Sequence, residues 1–145
     1  MEQRVNIEKT QPEAWKAMYA LSIAVSKSGM SPIQKHLVMI RASQINSCAF
    51  CINMHTKEAL KLGETQQRIF LLSAWKETDL FTGEEKALLA LTEEITLIHQ
   101  DGVSDNTYKQ AEKYFSPERI GEIIMSIVLM NAWNRIAVST RMQPD

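Results

Sequence analysis

Hydrophobic and polar positions recur with a helical period along this chain, and no stretch shows the strict alternation of a half-buried strand. Residues 1–11 are polar and predicted to be extended. Pro12 then opens a helix to about Ser28, with Trp15, Met18, Tyr19, Ser22 and Val25 on its apolar-leaning face, and Gly29 ends it. Ser31-Pro32-Ile33-Gln34 reads as a capping box with proline at the first helical position, and its helix reaches about Ile45. Leu37, Ile40 and Gln44 share one face of that helix, which turns His36 elsewhere. Asn46-Ser47 breaks that helix. Ser47 is the expected N-cap of the next helix, which runs from Cys48 to Leu62 with Gly63 as its stop.

Thr65 caps a short fourth helix carrying Ile69, Leu72 and Trp75. Thr82-Gly83-Glu84-Glu85 is a second capping box, ahead of Leu88, Leu91, Ile95 and Ile98, and Asp101-Gly102 closes that segment. Asp105 is the expected cap of a short helix to about Tyr114. Ser116-Pro117-Glu118 opens the last helix, which bears Ile120, Ile123, Ile124, Ile127 and Val128 and extends to about Arg141. The prediction is an all-α fold of about seven helices. With 145 residues and no linker, repeat or low-complexity tract, one domain spans 1–145, its core over about 12–142.

Charge changes the picture only by exclusion. A formal net charge of −1 gives no reason to expect nucleic acid or an anionic membrane as partner. The opening residues lack the apolar stretch of a signal peptide, and no apolar run approaches the ~20 residues of a membrane span. The expected location is the cytoplasm. Two cysteines three residues apart in such a chain point to redox or metal chemistry, since structural disulfides are rare there.

Cys48, Cys51 and His55 lie at i, i+3 and i+7, one narrow stripe of a helix. Cys51 and His55 form a direct i, i+4 pair, whereas Cys48 and His55 are about 10 Å apart along the axis. A free thiol is only about 3% thiolate at neutral pH, and lowering its pKa to about 6 takes roughly 3.4 kcal/mol. The helix dipole supplies about 0.3–1 kcal/mol. A protonated His55 beside Cys51 is therefore expected to supply the rest, which favours Cys51 as the attacking thiol. Position alone favours Cys48, nearest the helix start.

Arg41-Ala-Ser-Gln-Ile-Asn-Ser-Cys48-Ala-Phe-Cys51-Ile-Asn-Met-His55-Thr-Lys-Glu-Ala resembles the core of the carboxymuconolactone decarboxylase superfamily, in its alkylhydroperoxidase D-like branch. Leu71-Leu-Ser-Ala-Trp-Lys-Glu, Phe81-Thr-Gly-Glu-Glu-Lys-Ala-Leu and Asn131-Ala-Trp-Asn-Arg resemble the same branch in the same order, from about His36 to Arg135. The resemblance implies a thiol-dependent peroxidase. Cys51 would attack peroxide, Cys48 would resolve it as a disulfide, and His55 would serve a proton relay. The relay glutamate of the family falls on His36, and Phe50 stands where well-known members have histidine. The resemblance also implies a homo-oligomer, trimer or hexamer, and an external dithiol reductant. Its other activity, cofactor-free lactone decarboxylation, does not depend on the cysteine pair.

A third reading is a zinc-stabilised, non-catalytic scaffold using both thiolates, His55 and His36. No cofactor and no stoichiometric zinc are expected, because a redox dithiol needs its sulfurs free. Asn131, Asn134 and Arg135 on the apolar last helix are candidates for a polar contact with the active site or a subunit interface, or equally for a solvent-facing helix end. Trp15, Trp75 and Trp133 are core or interface anchors. The eight methionines read as gap fillers and His99 as a helix-end charge partner.

Overall fold

The computed structural model describes all 145 residues as eight α-helices and one 3₁₀ segment, without strands: α1 (Ile7–Thr10), α2 (Pro12–Ser26), α3 (Pro32–Ile45), α4 (Ala49–Lys61), α5 (Gln66–Leu71), the 3₁₀ segment Leu72–Glu77, α6 (Gly83–Thr96), α7 (Asp105–Glu112) and α8 (Pro117–Thr140). The punctuation read from the sequence governs most starts. Ser31 and Thr82 both close full capping boxes, and Thr65 and Ser116 each accept a backbone N–H of the first turn.

Three boundaries differ from expectation. Residues 7–10 are helical rather than extended, because the Asn6 side chain accepts from Lys9 N–H and initiates a turn that buries nothing. Ser104, not Asp105, caps α7: its hydroxyl accepts from Thr107 N–H, and Asp105 sits in the first turn. Ser47 adopts φ +54° and cannot cap. The left-handed turn hands that role to Cys48, whose extended backbone and sulfur cap α4.

Helix α3 is the central strut, packed against α4, α6 and α8. One apolar cluster joins α3, α6, α7 and α8 through Val38, Leu88, Leu91, Ala111, Ile123 and Ile127. A second joins α3 to α4, α5, the 3₁₀ segment and α6 through Leu37, Ile40, Ala59, Ile69, Leu72 and Leu89. The third contains both cysteines together with Ala42, Met130 and Ala137. Each fully buried Leu or Ile contributes about 1.5–3 kcal/mol of transfer free energy. Contrary to the expectation that no run is long and apolar enough to span a membrane, helix α8 is so by length and composition. It is the core helix of this bundle, burying Ile120, Ile123, Ile127, Leu129 and Met130 against its neighbours.

Buried charge is paired. Glu93 of α6 binds Arg41 at 2.9 Å and Lys76 at 2.8 Å, and accepts from the Trp75 indole at 2.8 Å. Arg68 bridges Glu64 at 2.8 Å and Glu85 at 2.6 Å.

Candidate active site

The end of α3 and the start of α4 bring the two thiols together beneath α8. Both cysteines are unoxidised and buried. Cys51 N–H donates to the sulfur of Cys48 at 3.4 Å, the capping contact at the head of α4. The Cys51 thiol also donates to Cys48. Together these bonds pull Cys48 down to about 6 and push Cys51 well up. Burial alone would raise both.

Asn134 of α8 adds to the stabilisation. It lies within hydrogen-bonding reach of both thiols and favours the charged form of each. Its Nδ2 donates to Ser43 Oγ at 3.0 Å, and its Oδ1 accepts from Asn46 at 3.0 Å. Asn46 donates equally to Asn131, which binds Thr96 and receives Arg135. Asn131 and Asn134 of α8 thus turn toward the site, Asn134 fully buried, while Arg135 stays exposed.

The histidines behave differently from expectation. His55 is buried, and its Nδ1 lies 3.2 Å from Oε2 of Glu58, one turn on along α4. Burial lowers the His55 pKa, Glu58 opposes that, and His36 adds to it. His36, at the start of the second turn of α3, is lowered in the same way, by burial first. Both rings are therefore neutral at physiological pH, and the imidazolium expected beside Cys51 is replaced by the hydrogen bonds on Cys48. His36 and His55 do meet: their ring centroids are 5.7 Å apart, and His36 Nδ1 lies 3.9 Å from the same Glu58 oxygen.

Because Nδ1 of His55 faces a carboxylate, it carries the ring proton, and Nε2 is left as an acceptor. Glu58 was not singled out from the sequence, although its i+3 spacing from His55 was a sufficient signal. Ser43, which also hydrogen-bonds the Cys51 thiol, has no such signal, since only the fold carries it there.

Cys51 and His55 line an apolar pocket of about 360 Å³ between α2, α4 and α8. Trp15, Tyr19, Phe50 and Trp133 supply its aromatic wall. Trp133 meets Trp15 edge to face at 5.1 Å and donates to Ser22 Oγ at 3.0 Å. Two of the three tryptophans thus shape a cavity, and Trp75 alone is a buried anchor. Four of the methionines (Met39, Met54, Met130 and Met142) also line the pocket. His99 lies far along the chain from these residues, in the turn that follows α6.

Residues 12–94 match the carboxymuconolactone decarboxylase family. The chain is 41% identical over 139 residues to the uncharacterized protein YdfG of Bacillus subtilis, covering 96% of this chain and 95% of that one. The crystal structure of ATU0492 from Agrobacterium tumefaciens superposes with a TM-score of 0.96 at 41% identity, covering 99% of each chain. That protein is described as of unknown function and provisionally as the antioxidant defence protein AhpD. The debrominase Bmp8, solved with 2,3,4-tribromopyrrole, shares the fold at 15% identity and a TM-score of 0.83, over 94% of this chain and 73% of its own. By sequence match, by the order of its helices and by the dithiol at the head of α4, this chain belongs to the carboxymuconolactone decarboxylase family, in its alkylhydroperoxidase D-like branch.

Proposed function

We infer that the protein reduces organic hydroperoxides with Cys51 as attacking thiol and Cys48 as resolving thiol. The observation that carries this reading is the apolar pocket, onto which Cys51 and His55 open and from whose lining Cys48 is missing. An aromatic and methionine wall suits a hydroperoxide with a bulky apolar group better than hydrogen peroxide.

In the proposed cycle, a hydroperoxide enters the pocket and Nε2 of His55 takes the Cys51 proton, with Glu58 holding Nδ1–H. The sulfur attacks the terminal oxygen and the O–O bond breaks. The departing alkoxide recovers the proton as an alcohol, leaving Cys51 as a sulfenic acid. Cys48, a thiolate at neutral pH, attacks the sulfenic sulfur; the hydroxyl leaves as water with one added proton, and a disulfide forms. An outside dithiol then returns both thiols. The same depressed pKa that makes Cys48 available for resolution makes it a good leaving group in that last exchange. Assembly into a trimer or hexamer is part of this proposal. Exposed apolar side chains such as Phe70, Ile98 and Ile23 are available for subunit contacts.

The test is sulfenic-acid trapping with cumene hydroperoxide. Cys48→Ser should accumulate one sulfenic acid on Cys51, and Cys51→Ser should be nearly inert. Oxidation of Cys48 in Cys51→Ser at the wild-type rate would reverse the assignment. Lactone decarboxylation surviving in the double Ser variant would replace the peroxidase reading altogether.

A further inference from the structure

The relay uses one imidazole and one carboxylate, and this leaves His36 without a task. Its Nδ1 is cut off from solvent and has no hydrogen-bond partner. It nevertheless faces the Glu58 oxygen that His55 Nδ1 binds. One ring nitrogen of His36, one of His55 and a carboxylate oxygen of Glu58 all lie within 4.8 Å of one another, and it is Nδ1 of each ring that faces Glu58. Glu58 is half exposed, so the cluster is reachable from solvent.

We propose that His36, His55 and Glu58 form a binding site for a divalent first-row transition ion such as zinc, separate from the thiols and with its remaining position open to water. Two imidazoles and a carboxylate are the donor set of open zinc sites, in which a solvent molecule completes the tetrahedron. With metal–ligand bonds of about 2.0–2.2 Å, tetrahedral donors stand roughly 3.4 Å apart. His55 and Glu58 are already at 3.2 Å. His36 and Glu58, at 3.9 Å, close by a small rotation of the half-exposed carboxylate and the imidazole. The neighbouring cation does not compete: Lys35 Nζ is tied to the carbonyl of Ser26 at 2.8 Å. Oxygen and nitrogen donors without sulfur suit zinc, cobalt or nickel rather than copper(I).

This site differs from the thiolate zinc considered from the sequence, and it revises the expectation of a metal-free protein without occupying either sulfur. It also has a consequence for the relay, which rests on the peroxidase reading. A metal on Nδ1 of His55 displaces the proton from that nitrogen to Nε2. The ring then has no lone pair to accept the Cys51 proton. The loaded protein is the resting form and the metal-free protein the reactive one.

Binding is measured first, independently of activity. The full-length protein, stripped with chelator and kept reduced, is titrated with zinc chloride by calorimetry and with cobalt chloride by visible absorption. One ion per chain is expected, with a cobalt spectrum free of sulfur-to-metal charge transfer. His36→Gln and Glu58→Gln should each weaken binding by about tenfold or more, as the loss of a ligand or its support does elsewhere. The Cys48→Ser/Cys51→Ser double variant should bind like wild type. Failure to bind at micromolar ion, loss of binding in the double Ser variant, or undiminished binding in His36→Gln each overturns the site. Hydroperoxide reduction is then compared with and without zinc, where loss of activity on loading is expected. If the metal-free protein reduces no hydroperoxide yet still binds zinc through His36, the peroxidase reading fails and the site stands.

Discussion

The backbone N–H of Cys51 points at the sulfur of Cys48, 3.4 Å away, so the first thiol caps the helix on which the second one rides. A cap of this kind is worth more to a thiolate than to a thiol, because the acceptor gains charge while the donor stays fixed. With the larger contribution of the Cys51 side chain added to this cap, the charge settles on the cysteine at the helix head, and the proton on the one beside the pocket.

Thiolate absorbance should titrate accordingly. One thiolate per chain is expected with a midpoint of about 6, the second appearing only at strongly alkaline pH. In Cys51→Ala the S–H donor is gone while the backbone N–H remains. The Cys48 midpoint should then rise toward the free-thiol value of about 8.5. Two thiols titrating together near that value in the wild type would contradict the division of charge.

Glu58 is half exposed, so its removal should leave stability nearly unchanged while slowing hydroperoxide reduction. Glu58→Ala frees Nδ1 of His55 to lose its proton and lets Nε2 carry it, the wrong tautomer for a base. A fall of about 100-fold in the rate of Cys51 oxidation is expected, within the span of general acid–base effects. Glu58→Gln keeps an acceptor oxygen for Nδ1–H and should retain much of the rate. Equal losses in both variants would mean that the carboxylate charge, rather than the tautomer, carries the effect.

Much of this architecture is written locally in the chain. Capping boxes at Ser31 and Thr82 place two helices because the same four residues satisfy the orphan donors wherever they occur. The Cys51–His55 stripe follows from helical spacing alone. What the sequence could not supply is contact between distant segments. His36 reaches Glu58 only because the start of α3 packs on the middle of α4, and Asn134 reaches the thiols only because α8 crosses both. The protonation state of His55 was misjudged for the same reason, since burial is a property of the fold. Ser47 failed as a cap because the left-handed turn closing α3 takes precedence over a favourable side chain.

Acid should destabilise the protein through Glu85. Burial raises its pKa, but hydrogen bonds from Arg68 and the Thr82 N–H outweigh burial and hold it below 4.5. A carboxyl depressed in the fold contributes stability above its unfolded pKa, and that contribution is lost as pH falls through the folded value. Arg68→Ala strands Glu64 and Glu85 without their shared cation and removes the guanidinium from the face of Phe81, 4.5 Å away. At neutral pH a loss of about 3 kcal/mol is expected, roughly 9 °C in midpoint for a chain of this size. The variant should lose less than wild type between pH 7 and pH 4, because its Glu85 no longer has a depressed pKa to forfeit. A parallel decline of both proteins in denaturant titrations at the two pH values would refute the linkage.

Ser47 offers a substitution in the opposite direction. It sits at φ +54° immediately after α3, where its N–H bonds to the carbonyl of Gln44 and Cys48 N–H bonds to that of Ser43. This is the helix-ending position that glycine fills most easily, because an L side chain there crowds its own carbonyl. The Ser47 side chain is exposed, so its loss removes no packing. Ser47→Gly relieves roughly 1–2 kcal/mol of left-handed strain. It costs about 0.5–1 kcal/mol through the greater freedom of the unfolded chain. The net expectation is a gain of about 0.5–1 kcal/mol, or roughly 2–3 °C. Ser47→Val should lose stability, since a β-branched residue is least tolerant of that conformation. The Cys48 midpoint gives a second reading on the same variants. A turn that keeps its geometry leaves Cys51 N–H aimed at the sulfur, so Ser47→Gly should still titrate at about 6. A more stable Ser47→Gly whose thiol has drifted upward would mean that the strained turn also holds the cap in place, and that part of the stability at Ser47 is given up to keep Cys48 charged.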